Sequence, residues 1–164
     1  MSKPIIVISP GGFTNPSSYD AAAEEIRKLG YTVIVPTLTV NGDLAGKGPD
    51  SIEWKTMADS GVLDDVEVLH SHLLPAFDDG REVILVVHSY GALPGSLSVQ
   101  GQTVPERKAK GLKGGVKAYV GLASPSYPVR GKSIMGTDED MPPMPYHSLE
   151  VRHNHVLPRE GAMD

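Results

Sequence analysis

Residues 84–95 read "ILVVHSYGALPG". Four branched apolar residues run into a His, a Ser, an aromatic residue and then small residues, so the stretch reads as a strand that ends abruptly on a hydroxyl. Its apolar residues are continuous rather than alternating, which fits a strand covered on both faces, as in a parallel sheet. Two readings of its end compete. Either Ser89 caps an ordinary helix start, or a sharp strand-to-helix turn lifts Ser89 to its crest and presents the hydroxyl to a ligand. The second reading needs small neighbours, and Gly91 and Ala92 follow directly, with Gly95 letting the next helix pack close to the sheet.

Three similar runs flank this one, at residues 5–8, 32–35 and 116–122, each bounded by Gly, Pro or charged residues. Helical periodicity fills two of the gaps. In "NPSSYDAAAEEIRKLG" (15–30), Asn15 can cap, Pro16 suits the first helical position, Ala22, Ile26 and Leu29 line one face, and Gly30 suits a left-handed stop. In "DDVEVLHSHLLPAFDDG" (64–80), Asp64 or Asp65 favours the positive end of the helix dipole, Val66, Leu69, Leu73 and Leu74 form the buried stripe, and Pro75 is expected to end or bend the helix. A third helix is expected from Tyr90, with Pro94 in its tolerant first turn. This alternation predicts the α/β class, with an open, mostly parallel sheet flanked by helices.

Composition narrows the function classes. A chain of 164 residues predicts one domain with a real core. A net charge of -5 and a sequence pI near 5.6 give no electrostatic footprint for nucleic acid. The one basic stretch, "ERKAKGLKGGVK" (106–117), reads as a solvated loop. The chain has no Cys, which removes disulfides and thiolate metal sites and fits a reducing compartment. No run reaches membrane-spanning length and "MSKPIIVISP" lacks the long apolar region of a signal peptide, so the expectation is a soluble cytoplasmic protein with no membrane partner. Eighteen Gly and 14 Pro make turns numerous, especially towards the end.

In open α/β sheets, chemistry sits beyond the carboxyl ends of the strands, where successive connections leave in opposite directions. Two loops occupy such ends: "SPGGFTNPSSY" (9–19), in which Pro10, Gly11 and Gly12 make a tight turn ahead of a helix, and "VVHSYGA" (86–92). On these two motifs the chain resembles the α/β-hydrolase superfamily, close to its methylesterase and hydroxynitrile-lyase branch and the fungal relatives, which often carry "HSYGG" at the elbow and "PGAW" at the oxyanion loop. The resemblance covers residues 4–124. It implies a partial α/β-hydrolase fold with residues 1–124 as the recognisable core, and the strand ending at Ile8 beside the strand ending at Val87. It also implies that Ser89 is the nucleophile and that the backbone N–H of Tyr90, with one from Gly12 or Phe13, forms the oxyanion hole; His88 is only the residue before the nucleophile. The pattern G-x-S-x-G is broken by Val87 at its first position, and Ala92 stands where these relatives often have a second Gly.

A serine hydroxyl needs a base, and that base needs an acid, in the chain order Ser, Asp or Glu, His. In the resembled family these follow later strands, whereas no further continuous apolar run follows residue 122 here. Residues 125–164 are therefore expected as an irregular cap or tail and the chain as a truncated relative. Asp138 or Asp140 followed by His147, His153 or His155 supplies the order formally, without strands to hold the side chains. His70 and His72, two apart on a helix, cannot face one site and are expected in surface or partly buried packing. His153 and His155 share a face if extended, but two nitrogens without carboxylates do not make a metal site, and no metal or cofactor is expected. "NGDLAGKGPDSIEW" (41–54) and Met57 read as a substrate-side or surface loop, and the last strand as an exposed edge that favours self-association. The resemblance implies a serine hydrolase acting on a small ester through an acyl-enzyme. The alternative is a non-catalytic relative that keeps the elbow as a binding or partner module.

Overall fold

The computed structural model describes residues 2–42, 46–48 and 50–125, together with the backbone of 149–152 and 155–158. Strands β1 (Ile5–Ser9), β2 (Val33–Ile34), β3 (Glu82–His88) and β4 (Gly115–Leu122) form one parallel sheet in the order β2-β1-β3-β4. The chain leaves β1 towards β2 and leaves β3 towards β4, so the connections diverge between the two central strands. Ile6 pairs with Ile84 and Ser9 with Val87, which brings the loops after β1 and β3 together at one end of the sheet.

Every residue of β1 is buried, as its unbroken apolar run requires. Alternation along the strands divides the core in two. Ile5, Val7, Val83, Leu85 and Val87 face α3 (Val62–Asp78) and α4 (Ala92–Ser98) through Leu69, Leu73, Phe77 and Ala92. Ile6, Ile8 and Val33 face Ala23 and Ile26 of α1 (Asp20–Lys28).

Local chemistry corrects several sequence expectations. Asn15 caps as predicted, accepting from the N–H of Ser17 at 3.1 Å, but residues Pro16–Tyr19 form a 3-10 turn before α1 begins. Three residues per turn rather than 3.6 advances the helix phase. Ala23 is therefore the fully buried residue, Ala22 is exposed, and Leu29 is left 67% exposed. In α3 the fully buried stripe is Asp65, Leu69, Leu73 and Phe77 at i, i+4 spacing, not one that includes Val66 and Leu74. The helix also runs through Pro75 to Asp78, because Phe77 is anchored in the core and only one backbone bond is forfeited at an exposed proline.

The connection after β2 is not all loop. It contains α2 (Ile52–Asp59), capped by Ser51 on the N–H of Trp54 and anchored by buried Met57. Nor is the basic stretch all solvated. Residues Val104–Ala109 form α5 under a Thr103–Glu106 capping box, and Arg107 is buried. Its guanidinium donates to Lys113 O, Gln102 Oε1 and Asp78 Oδ1 and lies 5.0 Å from the centre of the Phe77 ring. A planar fork with this many partners tolerates burial where a lysine does not.

Residues 149–158, expected as irregular, contain an antiparallel pair, β5 (Leu149–Arg152) with β6 (His155–Pro158). In "LEVR" the signal is period-two alternation, which a search for continuous apolar runs passes over. Among the described residues β4 pairs on one side only, with β3, and Tyr119, Val120 and Leu122 are each at least 40% exposed along it. No helix among them is long and apolar enough to cross a membrane.

Candidate active site

Strand β3 ends at His88, whose backbone is still extended, and by Gly91 the chain is right-handed helical. Ser89 between them takes φ +49°, a left-handed conformation that costs a residue with a Cβ roughly 1–2 kcal/mol. The turn therefore reverses the chain within one residue and leaves the Ser89 side chain exposed at its crest.

Such a reversal forces one backbone close to another. A Cβ on Gly91 would lie 2.4 Å from Ser9 O and 2.5 Å from Pro10 O, so only glycine fits there. The buried Ser9 hydroxyl donates to Gly91 O at 3.0 Å and ties the end of β1 to the same point. The first glycine of the elbow pattern is replaced by Val87, and the space for its side chain is found at Gly95, where a Cβ would come within 2.6 Å of Val87 Cγ1. The close backbone contact of the turn falls on Gly91 alone.

Residues 10–14 wrap over the turn. Cβ positions built on Gly11 and Gly12 fall 3.4 Å from Ser89 Cβ and 3.3 Å from Tyr90 Cβ. The amides of Gly11, Gly12 and Phe13 have different fates. Gly11 N–H donates to Tyr19 Oη at 2.8 Å, and Phe13 N–H donates to Val40 O at 3.0 Å. Gly12 N–H, between them, has no hydrogen-bond acceptor among the described residues. Phe13 N–H is thus committed to holding the loop.

His88 does not serve Ser89. Its Nδ1 pairs with Tyr19 Oη at 2.7 Å, and the two rings meet edge to face. His70 Nε2 pairs with Ser98 O at 3.1 Å, a packing role, and His72 is partly buried. Among the described residues no histidine reaches the Ser89 hydroxyl, and no three His, Asp or Glu side chains gather as metal ligands. Asp138, Asp140, His147 and His153 lie outside the described residues, and His155 is described only as backbone of β6.

The sequence reading passed over Tyr19, which organises the loop, and read Asp65 only as a helix-dipole residue, whereas its carboxylate accepts the Tyr90 hydroxyl at 2.6 Å. Asp65 had a usable signal: it stands four residues before Leu69 on the buried stripe, where a charge needs partners. Tyr19 had none, because its partner His88 is 69 residues away in the chain.

The comparisons with known proteins agree with this geometry. The model of the alpha/beta hydrolase family matches residues 6–161. The chain is 26% identical over 94 residues to Probable hydrolase R7 of Phoma sp., a match that covers 57% of this chain and 34% of that protein. It is 25% identical over 143 residues to Alpha/beta hydrolase nvfD of Aspergillus novofumigatus, covering 87% of this chain and 51% of that one. A solved extracellular alpha/beta-hydrolase from a Paenibacillus species, described as sharing homology with tobacco salicylic acid binding protein 2, superposes with a TM-score of 0.56 at 23% identity, over 80% of this chain and 44% of that chain. The chain thus spans about half or less of the length of the relatives it matches. The parallel sheet, the left-handed serine at its carboxyl end and the family match over residues 6–161 together place this chain in the alpha/beta hydrolase family.

Proposed function

We propose that the protein is a serine hydrolase acting on a small carboxylic ester through an acyl-enzyme on Ser89. In this reading Ser89 Oγ attacks the ester carbonyl carbon while a base takes its proton, and the carbonyl oxygen becomes an oxyanion held by the N–H groups of Gly12 and Tyr90. The proton then passes to the departing alcohol, and water attacks the acyl-enzyme to release the acid and restore the serine. Preorganised amides favour this step because they meet charge that develops only in the transition state, and one such donor is worth roughly 10²–10³ in rate.

The observation that carries the reading is the strained, exposed Ser89 beside a loop whose Gly12 amide has no acceptor among the described residues. Strain at a residue with no packing role is retained where function requires it. The base is assigned to a histidine outside the described side chains, His147, His153 or His155, with Asp138 or Asp140 to orient it.

A second reading, a non-catalytic relative that uses the elbow to bind a ligand or partner, draws on one observation: no described histidine reaches Ser89. One experiment separates the two. A fluorophosphonate probe should label the protein at Ser89, and Ser89→Ala should abolish both labelling and hydrolysis of p-nitrophenyl acetate. Labelling that survives the substitution points to another nucleophile, and absence of labelling with the chain folded favours the binding module.

A further inference from the structure

Asp65 is fully buried on α3, yet among the described residues no cation faces it. Its carboxylate is met by neutral donors instead. Oδ1 accepts from the Thr39 backbone N–H at 2.5 Å and from the Thr39 hydroxyl at 2.7 Å, and Oδ2 accepts from the Tyr90 hydroxyl at 2.6 Å. Hydrogen bonds to a buried carboxylate are short and directional, so each of these partners is held firmly.

The partners lead to opposite halves of the candidate site. Tyr90 follows Ser89, and its Cβ lies 3.3 Å from the Cβ position of Gly12, so the placement of its side chain limits how closely the elbow and the loop approach. Thr39 leads into Val40 and Asn41, which brace residues 11–13 from behind. Val40 O accepts Phe13 N–H at 3.0 Å, and Asn41 Nδ2 donates to Gly11 O at 2.6 Å. Asn41 is itself held, since its Oδ1 accepts from Leu38 N–H at 3.1 Å. Gly12 is the residue between the two braced positions.

We propose that Asp65 is a positioning residue of the Ser89 site: through Tyr90 on one side and residues 39–41 on the other, one buried carboxylate fixes the separation between the elbow and the Gly12 amide. The inference rests on the reading of Ser89 as nucleophile. Asp65 touches no substrate, and its effect is on where the amide stands when the oxyanion forms. Misplacement of a reacting group by about 1 Å costs as much as 10²-fold in rate, so loosening this link should be visible in kinetics.

The test compares Asp65→Asn, Tyr90→Phe and the double variant with Asp78→Asn, which removes an ion-pair partner of Arg107 away from the site. Fluorophosphonate labelling of Ser89 is measured against probe concentration, with melting temperature and amide NMR on the same full-length samples. Asp65→Asn and Tyr90→Phe should each lower the limiting labelling rate by about 10-fold to 100-fold with little change in the half-saturating concentration. The double variant should be no slower than the worse single one, since both cut one link. Asp78→Asn should label at the parent rate even where its melting temperature falls. The amide resonances of residues 11–13 should shift in the Asp65 and Tyr90 variants.

Labelling losses that merely track melting temperature across all variants, Asp78→Asn included, overturn the proposal. So do amide shifts confined to residues 38–41, 65 and 90 that leave 11–13 unmoved. If Asp65→Asn fails to fold, Tyr90→Phe carries both measurements, because its ring still fills the site. A parent chain that is not labelled at all sinks the Ser89 reading and the catalytic consequence with it, whereas shifts at residues 11–13 in the variants then still show that Asp65 sets the place of that loop.

Discussion

Val87 fills the space that Gly95 leaves empty: a Cβ on Gly95 would come within 2.6 Å of Val87 Cγ1. The elbow pattern loses its first glycine here, and the methyl groups that replace it are received by a helix residue with no side chain. Departure and compensation are one contact. Gly95→Ala should therefore destabilise the fold by about 1–3 kcal/mol through overpacking. The same change made in a Val87→Ala background should cost less, with a coupling of about 1 kcal/mol or more in a urea-denaturation cycle. Strictly additive losses would mean that the two positions do not share this space.

Ser89 sets stability against chemistry. Its φ of +49° is tolerated by glycine without penalty, whereas a serine there carries roughly 1–2 kcal/mol of strain. Ser89→Gly should raise the unfolding free energy by about 1 kcal/mol and abolish probe labelling, while Ser89→Ala abolishes labelling with no such gain. A Ser89→Gly protein less stable than Ser89→Ala would show that the turn is not under strain.

Tyr19 holds the loop from its other side. Its hydroxyl accepts the buried Gly11 N–H at 2.8 Å and pairs with His88 Nδ1 at 2.7 Å. Tyr19→Phe keeps the ring and leaves that amide unsatisfied, a loss of about 1–3 kcal/mol. Chemical denaturation gives the stability, and labelling kinetics should slow as the loop loses its tether. Unchanged stability together with unchanged labelling would count against a role for the hydroxyl.

Glu106 gives α5 a pH dependence. The Thr103 hydroxyl and backbone N–H bond to its carboxylate and hold its pKa below the usual glutamate value of 4.5. The native state thus binds this proton less readily than the unfolded chain. Its contribution is complete above the ordinary carboxylate range and is lost as pH falls through the lowered native value. The stability difference between the parent and Glu106→Gln should be present at pH 7 and should shrink towards zero as the solution is acidified below about pH 4. A difference that stays constant down to about pH 3 is the opposite outcome.

Much of this architecture is local information. Strands β1, β2 and β3 are built on short runs of branched residues between breakers, and β4 on a looser one. Asn15 caps the turn that leads into α1, Gly30 follows that helix with φ +81°, and the small residues after Ser89 announce a tight turn. These features depend on a residue and its immediate neighbours, so the order of residues is enough to read them. The phase of α1 and the stripe of α3 were not legible in the same way. A 3-10 turn before one helix and a buried Asp65 in the other are settled by what they pack against, not by periodicity alone.

What the tertiary structure decided is how distant segments share space. Gly91 must be glycine because Ser9 O and Pro10 O lie against it, and Val87 is allowed because Gly95 faces it. Among the described residues Gly12 N–H has no acceptor, whereas Tyr19 and Val40 take the amides on either side of it. The sequence by itself determined the class of fold and the serine at the end of β3, since both follow from short-range pattern. The separation of that serine from its amide partner was decided only when β1, β3 and α3 packed, because hydrogen bonds and steric exclusion act over a few ångströms in space, however far apart the residues stand along the chain.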